Sequence, residues 1–278
     1  MKAAPFAYER PPDINAALAL LTETEGASKI IAGGQSLGPM LNLRLVQLDR
    51  VIDISGLSEL TRVERTGDEL LIGACVTHSD IEDGRIPDVT RGAMQRVAAG
   101  IAYRAVRNRG TIGGSLSHAD PAADWVTVLP ALGATVRLRS AEGIRDLAAG
   151  DFITGALESA LHRGEIVETI RVPVMARSAR WGYAKACRKP GEFANAMAAV
   201  LIDPDHARAR VVIGAIDRAP IVLSDAAPLF GGRVANDFTQ QFDGRAADTL
   251  LVEAGVANAV DRHIHVTVLR RALHEAAS

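Results

Sequence analysis

The sequence predicts an α+β protein in which two α/β subdomains precede a C-terminal α+β domain. Through the first 176 residues, apolar positions alternate between helical and strand spacing. Two glycine pairs, Gly33-Gly34 and Gly113-Gly114, interrupt this part, each with apolar residues before it and a small polar residue close after it. From Ala179 onward, three strand-like runs come first and helical patterns follow, which predicts a three-stranded sheet and a helical group. We expect domains at residues 1–55, 56–176 and 177–278.

The first domain is predicted to run helix, strand, glycine turn, helix, strand. Asp13 is a helix N-cap residue ahead of apolar positions with 3.6-residue spacing. A strand over residues 29–32 enters the first glycine pair, and Ser36 caps the next helix. A strand over residues 50–54 closes the domain. This order directs a helix N-terminus at whatever the glycine turn binds.

The middle domain is predicted to begin with a β-hairpin around Gly67-Asp68. A helix over residues 89–101 leads into the second glycine pair, and Pro121 starts another helix that carries Trp125. Strands follow over residues 134–138 and 166–172.

The C-terminal domain is predicted to contain strands over residues 180–186, 196–202 and 208–216. Asp203-Pro204-Asp205 is a turn between the last two. The final helix presents one apolar face, made by Val268, Leu269, Ala272, Leu273 and Ala276.

Composition restricts the classes of partner. The net charge of −2, with interspersed acids and bases, favours neither nucleic acid nor an anionic membrane surface, and no apolar run is long enough for a membrane span. Cys75 and Cys187 are too few for an iron–sulfur or zinc site within this chain. If both are reduced thiols, the compartment is cytoplasmic. We therefore expect small-molecule or protein partners, and neither a metal site nor a catalytic side chain in this chain.

The glycine pairs point to a bound dinucleotide. Neighbouring backbone N–H groups without a blocking Cβ suit a pyrophosphate, and two such turns can hold it from two sides. The G-x-G-x-x-G fingerprint in its strand-to-helix context and the Walker phosphate loop are both absent from the sequence. A nucleotide held here needs a different fold.

The segments Ala32-Gly33-Gly34-Gln35-Ser36, Thr111-Ile112-Gly113-Gly114-Ser115 and Asp120-Pro121-Ala122-Ala123-Asp124 resemble those of one family. It is the flavin-binding medium subunit of molybdenum hydroxylases, which include xanthine dehydrogenase and aerobic carbon monoxide dehydrogenase. The resemblance covers nearly the whole chain. It implies the PCMH-type FAD-binding fold, with two α/β subdomains around FAD and a C-terminal α+β domain.

The resemblance also implies which residues contact FAD. On the phosphate and adenosine side they are Ile30, Ile31, Ala32, Gly33, Gly34, Gln35, Ser36 and Leu37. Opposing N–H groups come from Thr111, Ile112, Gly113, Gly114 and Ser115. Asp120 and Asp124 suit sugar or ribityl hydroxyl groups, whereas Ile101 and Val167 give apolar contacts. Lys185 is expected near the isoalloxazine ring, where a cation tunes the redox potential, and Phe193 is an aromatic beside it.

Four residues keep more than one interpretation. Family members commonly show Gly-Asp-Tyr or Gly-Asp-Phe where this chain has Gly191-Glu192-Phe193, which leaves the role of Glu192 open. Arg188 is either solvated or a flavin contact, and His118 is either structural or a polar contact to the cofactor. Asp120 is equally well explained as a helix cap.

For function, the resemblance implies an electron-transfer subunit with FAD as its cofactor. A large partner subunit would carry the molybdopterin cofactor, a small one the [2Fe-2S] clusters, and the complex would be a dimer of heterotrimers. Carbon monoxide, N-heterocycles, purines and aldehydes remain open as substrates, as do NAD, quinone and oxygen as acceptors. Two alternatives stay open as well. One is a self-sufficient flavin reductase similar to the enolpyruvyl reductase of cell-wall synthesis, and the other is a nucleotide-binding scaffold without redox chemistry.

Overall fold

A computed structural model, which describes residues 2–23 and 26–278, places three main sheets one after another along the chain. The first has parallel strands in the order β1-β3-β2. Its elements are β1 (Ala7–Glu9), α1 (Ile14–Thr22), β2 (Ser28–Ile31), α2 (Leu37–Asn42) and β3 (Arg50–Asp53). Asp13 caps α1 as predicted, by accepting a hydrogen bond from Ala16 N. Ser36 occupies the N-cap position of α2, but its side chain makes no capping bond.

The middle sheet has the order β4-β5-β10-β6-β7 and is antiparallel at every pair. Its strands and the adjoining β8–β9 hairpin are β4 (Val63–Thr66), β5 (Glu69–Gly73), β6 (Thr135–Arg139), β7 (Ile144–Ala148), β8 (Ile153–Gly155), β9 (Glu158–Ser159) and β10 (Ile166–Pro173). The helices of this region are α3 (Ser58–Thr61), α4 (His78–Glu82), α5 (Ala93–Ala99), α6 (Arg104–Arg107), α7 (Ile112–His118), α8 (Asp124–Leu132) and α9 (Ala149–Phe152). This subdomain therefore mixes helices and strands as predicted, with antiparallel rather than parallel strand pairs.

Two predicted helices of the middle domain have different bounds. The helix α8 begins at Asp124 rather than at Pro121, because residues 120–123 form a turn. In this turn the side chain of Asp120 accepts a hydrogen bond from Ala122 N, and its carbonyl accepts one from Ala123 N. The helix α5 is shorter than predicted, since Gly92 precedes it at φ +82°.

The third sheet is antiparallel with the order β11-β12-β13-β14, so it has four strands rather than the predicted three. The additional strand is the three-residue β14, too short to give a periodic pattern. The elements are β11 (Arg180–Ala186), β12 (Ala196–Asp203), β13 (Arg208–Gly214), β14 (Ile221–Leu223), α10 (Phe238–Gln241), α11 (Gly244–Glu253) and α12 (Ala259–Ala277). The mixed helix-and-sheet class is confirmed, whereas the exact domain boundaries stay a prediction.

The helix α8 joins the middle and C-terminal parts. All of its residues are buried, and it contacts β10 of the middle sheet as well as β12 and β13 of the third. On the other face of the third sheet, α12 packs against β11 and β12. Gly182 allows this approach, because a Cβ there would overlap the Ala272 carbonyl oxygen.

Of the helices in the described residues, none has both the length and the apolar character that a bilayer crossing requires.

Candidate functional site

A cavity of about 560 Å³ lies where the first and middle subdomains meet. Most of its wall comes from five segments of chain: the β2–α2 turn, the loop at Ile101 and Ala102, the α7 to α8 region, the loop before β10, and the loop at 191–193. This volume is in the range of sites for small molecules and cofactors. All the predicted contact residues line it except Ile112 and Lys185.

The first glycine turn packs closely against the residues that immediately precede the second glycine turn. A Cβ at Gly33 would overlap the Arg109 carbonyl oxygen and lie 2.9 Å from Gly110 Cα. Gly34 has φ +69°, a backbone conformation that residues other than glycine rarely adopt. The two turns therefore share one cavity wall, as the sequence predicts.

The turn between β2 and α2 presents free backbone donors. Within the described part of the chain, no protein acceptor takes the N–H of Gly33, Gly34, Gln35 or Ser36. Buried or ligand-facing N–H groups require acceptors, and consecutive donors converging at a helix start suit a phosphate. This turn fits one phosphate side of a dinucleotide.

The second glycine turn works differently from the prediction. Its N–H groups already have protein acceptors: Ile112 N donates to Val76 O at 3.1 Å, Gly113 N to Ala74 O at 2.9 Å, and Gly114 N to Thr111 Oγ1 at 3.1 Å. Ser115 N closes the first turn of α7 on Thr111 O. The predicted opposing N–H groups from Ile112 to Ser115 are therefore not available, because α7 is capped by Thr111 and docked on the loop after β5.

Close packing is the reason for glycine at this second turn. A Cβ at Gly113 would overlap Ala74, and one at Gly114 would lie 2.7 Å from Thr111 Oγ1. The helix α7 thus approaches the wall closely and turns Gly113, Gly114 and Ser115 toward the cavity, whereas Ile112 is fully buried in the core behind them.

The two acidic residues both line the cavity in different environments. Asp120 accepts from Ala122 N in the turn before α8 and does not cap the helix itself, whose N-cap residue is Ala123. Asp124 is 7% exposed, and its Oδ1 accepts from Tyr183 Oη and Lys185 Nζ, both at 2.7 Å. Burial and the neighbouring Asp124 charge raise the pKa of Tyr183 well above its usual value, so this phenol is a hydrogen-bond donor at neutral pH.

Lys185 is placed behind the wall rather than in the cavity. Its ammonium bonds Asp124 Oδ1 and also Gly100 O at 2.9 Å. Because the ammonium bonds both of these protein acceptors and the Lys185 side chain is only 14% exposed, the ammonium points into the wall. Lys185 therefore does not line the cavity, and its contact with the isoalloxazine ring stays a prediction.

The rim at residues 191–193 meets the loop at Ala102. Gly191 has φ +85°, and a Cβ on it would lie 2.6 Å from Ala102 O. Phe193 lines the cavity with 70% of its surface exposed. The Glu192 carboxylate lies 3.4 Å from the Arg188 guanidinium. Because the Arg188 side chain is 81% exposed, this contact is a solvated ion pair.

Arg107, which no sequence pattern singles out, holds the cavity loop. Ala102 has φ +41°, a strained value for a residue with a side chain. Arg107 donates to Ile101 O and Ala102 O at 2.9 and 3.0 Å, and its other nitrogens pair with both oxygens of Glu82. These contacts fix the loop; no local sequence pattern reveals them, since Glu82 lies on another helix.

Two further lining groups were also missed. His78 accepts a hydrogen bond at Nδ1 from Trp125 Nε1 at 3.1 Å, and burial, together with the charge of Arg107, lowers the pKa of His78 to about 4. The loop from Leu161 to Ile166 forms the opposite wall. Gly164, at φ +87° just before β10, was the signal in the sequence that a tight loop enters this strand.

Comparisons with known proteins agree with this geometry. The family model described as the FAD binding domain in molybdopterin dehydrogenase matches residues 4–175. The caffeine dehydrogenase subunit beta of Pseudomonas sp. (strain CBB1) is 33% identical over 97% of this chain and 100% of the relative. The carbon monoxide dehydrogenase medium chain of Hydrogenophaga pseudoflava is 32% identical, with 88% of this chain and 86% of the relative covered.

Solved structures give the same result. Carbon monoxide dehydrogenase from Hydrogenophaga pseudoflava superposes with a TM-score of 0.89 at 29% identity, over 99% of this chain and 98% of that chain. Quinoline 2-oxidoreductase from Pseudomonas putida 86 gives a TM-score of 0.85 at 29% identity, over 100% and 98% of the two chains. The protein therefore belongs to the oxidoreductase family of FAD-binding medium subunits of molybdenum hydroxylases.

Proposed function

We propose that this chain is the electron-transfer subunit of a molybdenum, iron–sulfur and flavin hydroxylase. It would accept electrons from [2Fe-2S] clusters of a small partner subunit and pass them to an external acceptor. A large partner subunit with the molybdopterin cofactor would oxidise the substrate, in a dimer of heterotrimers. Relatives named as medium chains of such dehydrogenases support this assignment.

One observation carries the proposal. The β2–α2 turn lines a cavity of cofactor size with four consecutive N–H groups that take no acceptor among residues 2–23 and 26–278, and Gly33 packs against the backbone at Arg109–Gly110. A bound diphosphate would supply the acceptors that these donors lack.

The proposal assigns a role to each wall. Residues Ile30 to Leu37 would hold the phosphate side, and Thr111, Gly113, Gly114 and Ser115 would form a close-fitting surface beside it. Asp120 and Asp124 would accept hydrogen bonds from hydroxyl groups. Ile101, Val167 and Phe193 would contact the apolar part of the ligand. When bound, FAD supplies the exchange of electrons, so the chain's residues need only bind and orient it.

The experiment is to purify the full chain and measure its flavin content. We expect one FAD per chain, identified by chromatography of the released cofactor, and a visible spectrum that bleaches with dithionite. Expression together with the neighbouring subunits should yield a complex in which substrate bleaches the flavin without added reductant.

The alternatives predict other outcomes. A chain that binds nucleotide without bleaching would be a scaffold, and turnover of a small substrate by the isolated chain would identify a self-sufficient reductase. A chain with no affinity for FAD, alone or in the complex, would overturn the proposal.

A further inference from the structure

A second cavity, of about 540 Å³, lies at the opposite end of α8 from the first cavity. Its walls include Leu132 and Gly133, where α8 ends, the linker between β10 and β11, and the β12–β13 hairpin. Among the described residues, the two cavities have no lining residue in common. The proposed function leaves this second cavity without a role.

The cavity forms because the third sheet extends past the helix that covers it. The helix α8 packs against β12 and β13 but ends at Leu132. Gly133, the next residue, lies over Arg210 of β13, since a Cβ on Gly133 would be 2.5 Å from Arg210 Nη1. Arg208 begins the strand two residues earlier and therefore has its side chain on the same face. Both arginines line the cavity.

Neither arginine has an acidic partner. Across the residues that the structure describes, no ion pair forms at Arg208 or Arg210. Arg210 donates one hydrogen bond, from Nη1 to Ala131 O at 3.3 Å, in the last turn of α8, where a cation is favourable. A guanidinium has five N–H donors, so most of them stay available. Burial and the charge of Arg208 lower the pKa of Arg210, and a bound oxyanion would offset both effects.

The two carboxylates in the cavity wall have other partners. Asp203 Oδ2 bonds His206 Nδ1 at 2.8 Å, and Asp225 Oδ1 accepts from Ala227 N at 3.0 Å. Most other lining side chains are apolar, and the larger ones are Leu132, Pro173, Val174, Met175 and Leu201. The site thus combines two unpaired guanidinium groups with an apolar wall.

We propose that this cavity binds a small organic anion, a carboxylate or a phosphate monoester, whose oxyanion pairs with Arg210 and Arg208 while its apolar body packs against Met175 and Leu201. Arginine binds both kinds of oxyanion through parallel N–H···O bonds. The volume suits a small molecule rather than a single inorganic ion. The inference is independent of the proposed function, because no residue of the first cavity takes part.

The test is calorimetric titration of the full chain, saturated with FAD, at constant ionic strength. The probes are phenyl phosphate, benzoate and inorganic phosphate, and FAD keeps them out of the first cavity. We expect a dissociation constant of about 1 mM or tighter for at least one aromatic anion. Inorganic phosphate, which has no apolar body, should bind at least about tenfold more weakly. Benzylamine, a cation that would pair with Asp203 or Asp225 instead, should not bind.

Two variants locate the binding. Arg210→Lys keeps the charge and loses the planar fork, and Arg208→Gln removes a charge at an exposed position. Each should weaken binding of the aromatic anion about fivefold or more. Arg271→Gln is the matched control, since it removes an exposed arginine of α12 that lines neither cavity, and it should leave the dissociation constant unchanged. Urea unfolding of every variant verifies that it folds.

The outcomes are distinguishable. The inference is overturned if neither aromatic anion binds, if benzylamine binds as well as they do, or if Arg208→Gln and Arg210→Lys both bind as the unmodified chain does. Binding that disappears on saturation with FAD would place the anion in the first cavity and would also overturn it. If the chain binds no FAD, the proposed function fails, and the same titrations without FAD still test this site through its two arginines.

Discussion

Gly33 controls how closely the two glycine turns approach each other. A methyl group at this position would overlap the Arg109 carbonyl oxygen, so Gly33→Ala must push the β2–α2 turn away from Arg109–Gly110. We expect at least a tenfold loss of FAD affinity and a loss of stability of about 1–3 kcal/mol, typical of overpacking. Fluorescence titration and urea unfolding measure the two effects.

Gly38→Ala is the control for this change. Gly38 lies in α2, and a Cβ there would meet nothing within 4 Å. Alanine favours a helix, so stability should stay the same or rise by up to about 1 kcal/mol, with FAD affinity unchanged. Unaltered FAD binding by Gly33→Ala would contradict the close approach described for the turn.

His78 makes the stability of the chain depend on pH. Burial lowers its pKa from 6.5 to about 4, so the folded state holds the neutral form. As the pH falls below 6.5, the unfolded chain takes up a proton that the folded chain does not, and stability decreases until about pH 4. The expected loss over this window is about 3 kcal/mol.

Urea unfolding of the full chain at pH 7.5 and pH 5 measures this dependence. His78→Gln removes the titrating group, keeps an acceptor for Trp125 Nε1, and should reduce the decrease between the two pH values. His274→Gln, on the exposed side of α12, should retain the decrease seen in the unmodified chain. Equal pH dependence in all three chains would show that His78 does not carry the effect.

Among the elements, α8 has a buried hydroxyl without a partner. Thr127 Oγ1 finds no hydrogen-bond partner in the described structure and lies so near Gly214 that a Cβ there would overlap it. Thr127→Val replaces the hydroxyl with a methyl group of similar size. We expect stabilisation by about 1 kcal/mol, because an unpaired buried polar group is removed.

Denaturant unfolding of Thr127→Val and of Thr249→Val checks this expectation. Thr249 lies on α11 and donates to Arg245 O at 3.1 Å in an exposed setting, so its replacement should change stability by no more than about 0.5 kcal/mol. Destabilisation by Thr127→Val would indicate that its hydroxyl has an acceptor in solution.

Elements with a local signal were predictable from the sequence. The hairpin at Gly67-Asp68, the runs at β11 and β12, and the apolar face of α12 all follow from periodicity and turn residues. The short strands β1 and β14 give too few residues for a pattern, and neither was predicted. The antiparallel middle sheet depends on pairing between distant strands, which periodicity does not report.

The candidate site likewise combines one feature that a local sequence pattern predicts with features that depend on contacts between distant residues. The glycine turn at Gly33-Gly34 has a local signature, and no acceptor in the described part of the chain takes its N–H groups. The second turn has a similar signature, but its N–H groups bond Ala74 O and Val76 O, which come from a distant part of the sequence. The placement of Lys185 likewise depends on its distance from Asp124 and Gly100, which only the folded chain determines.

For the whole molecule, ligand binding should rigidify the walls and leave the far side unchanged. Hydrogen exchange of the full chain with and without FAD should show added protection at residues 30–37, 100–103 and 161–167, which line or adjoin the cavity. The strand β14 and helix α11 lack lining residues and are the internal controls. Protection confined to the control elements would place the binding site elsewhere.

The position of β10 has a consequence for synthesis of the chain. This strand is the centre of the middle sheet, where Ile170 pairs with Ile72 on one side and Val136 on the other, yet it is the last of the five strands to be translated. Until residue 173 has left the ribosome exit tunnel, a nascent polypeptide can form only the β4–β5 and β6–β7 pairs of this sheet, and the inner edges of β5 and β6 stay unpaired. Chaperones that hold nascent chains should bind this protein during that interval, and release should coincide with emergence of β10.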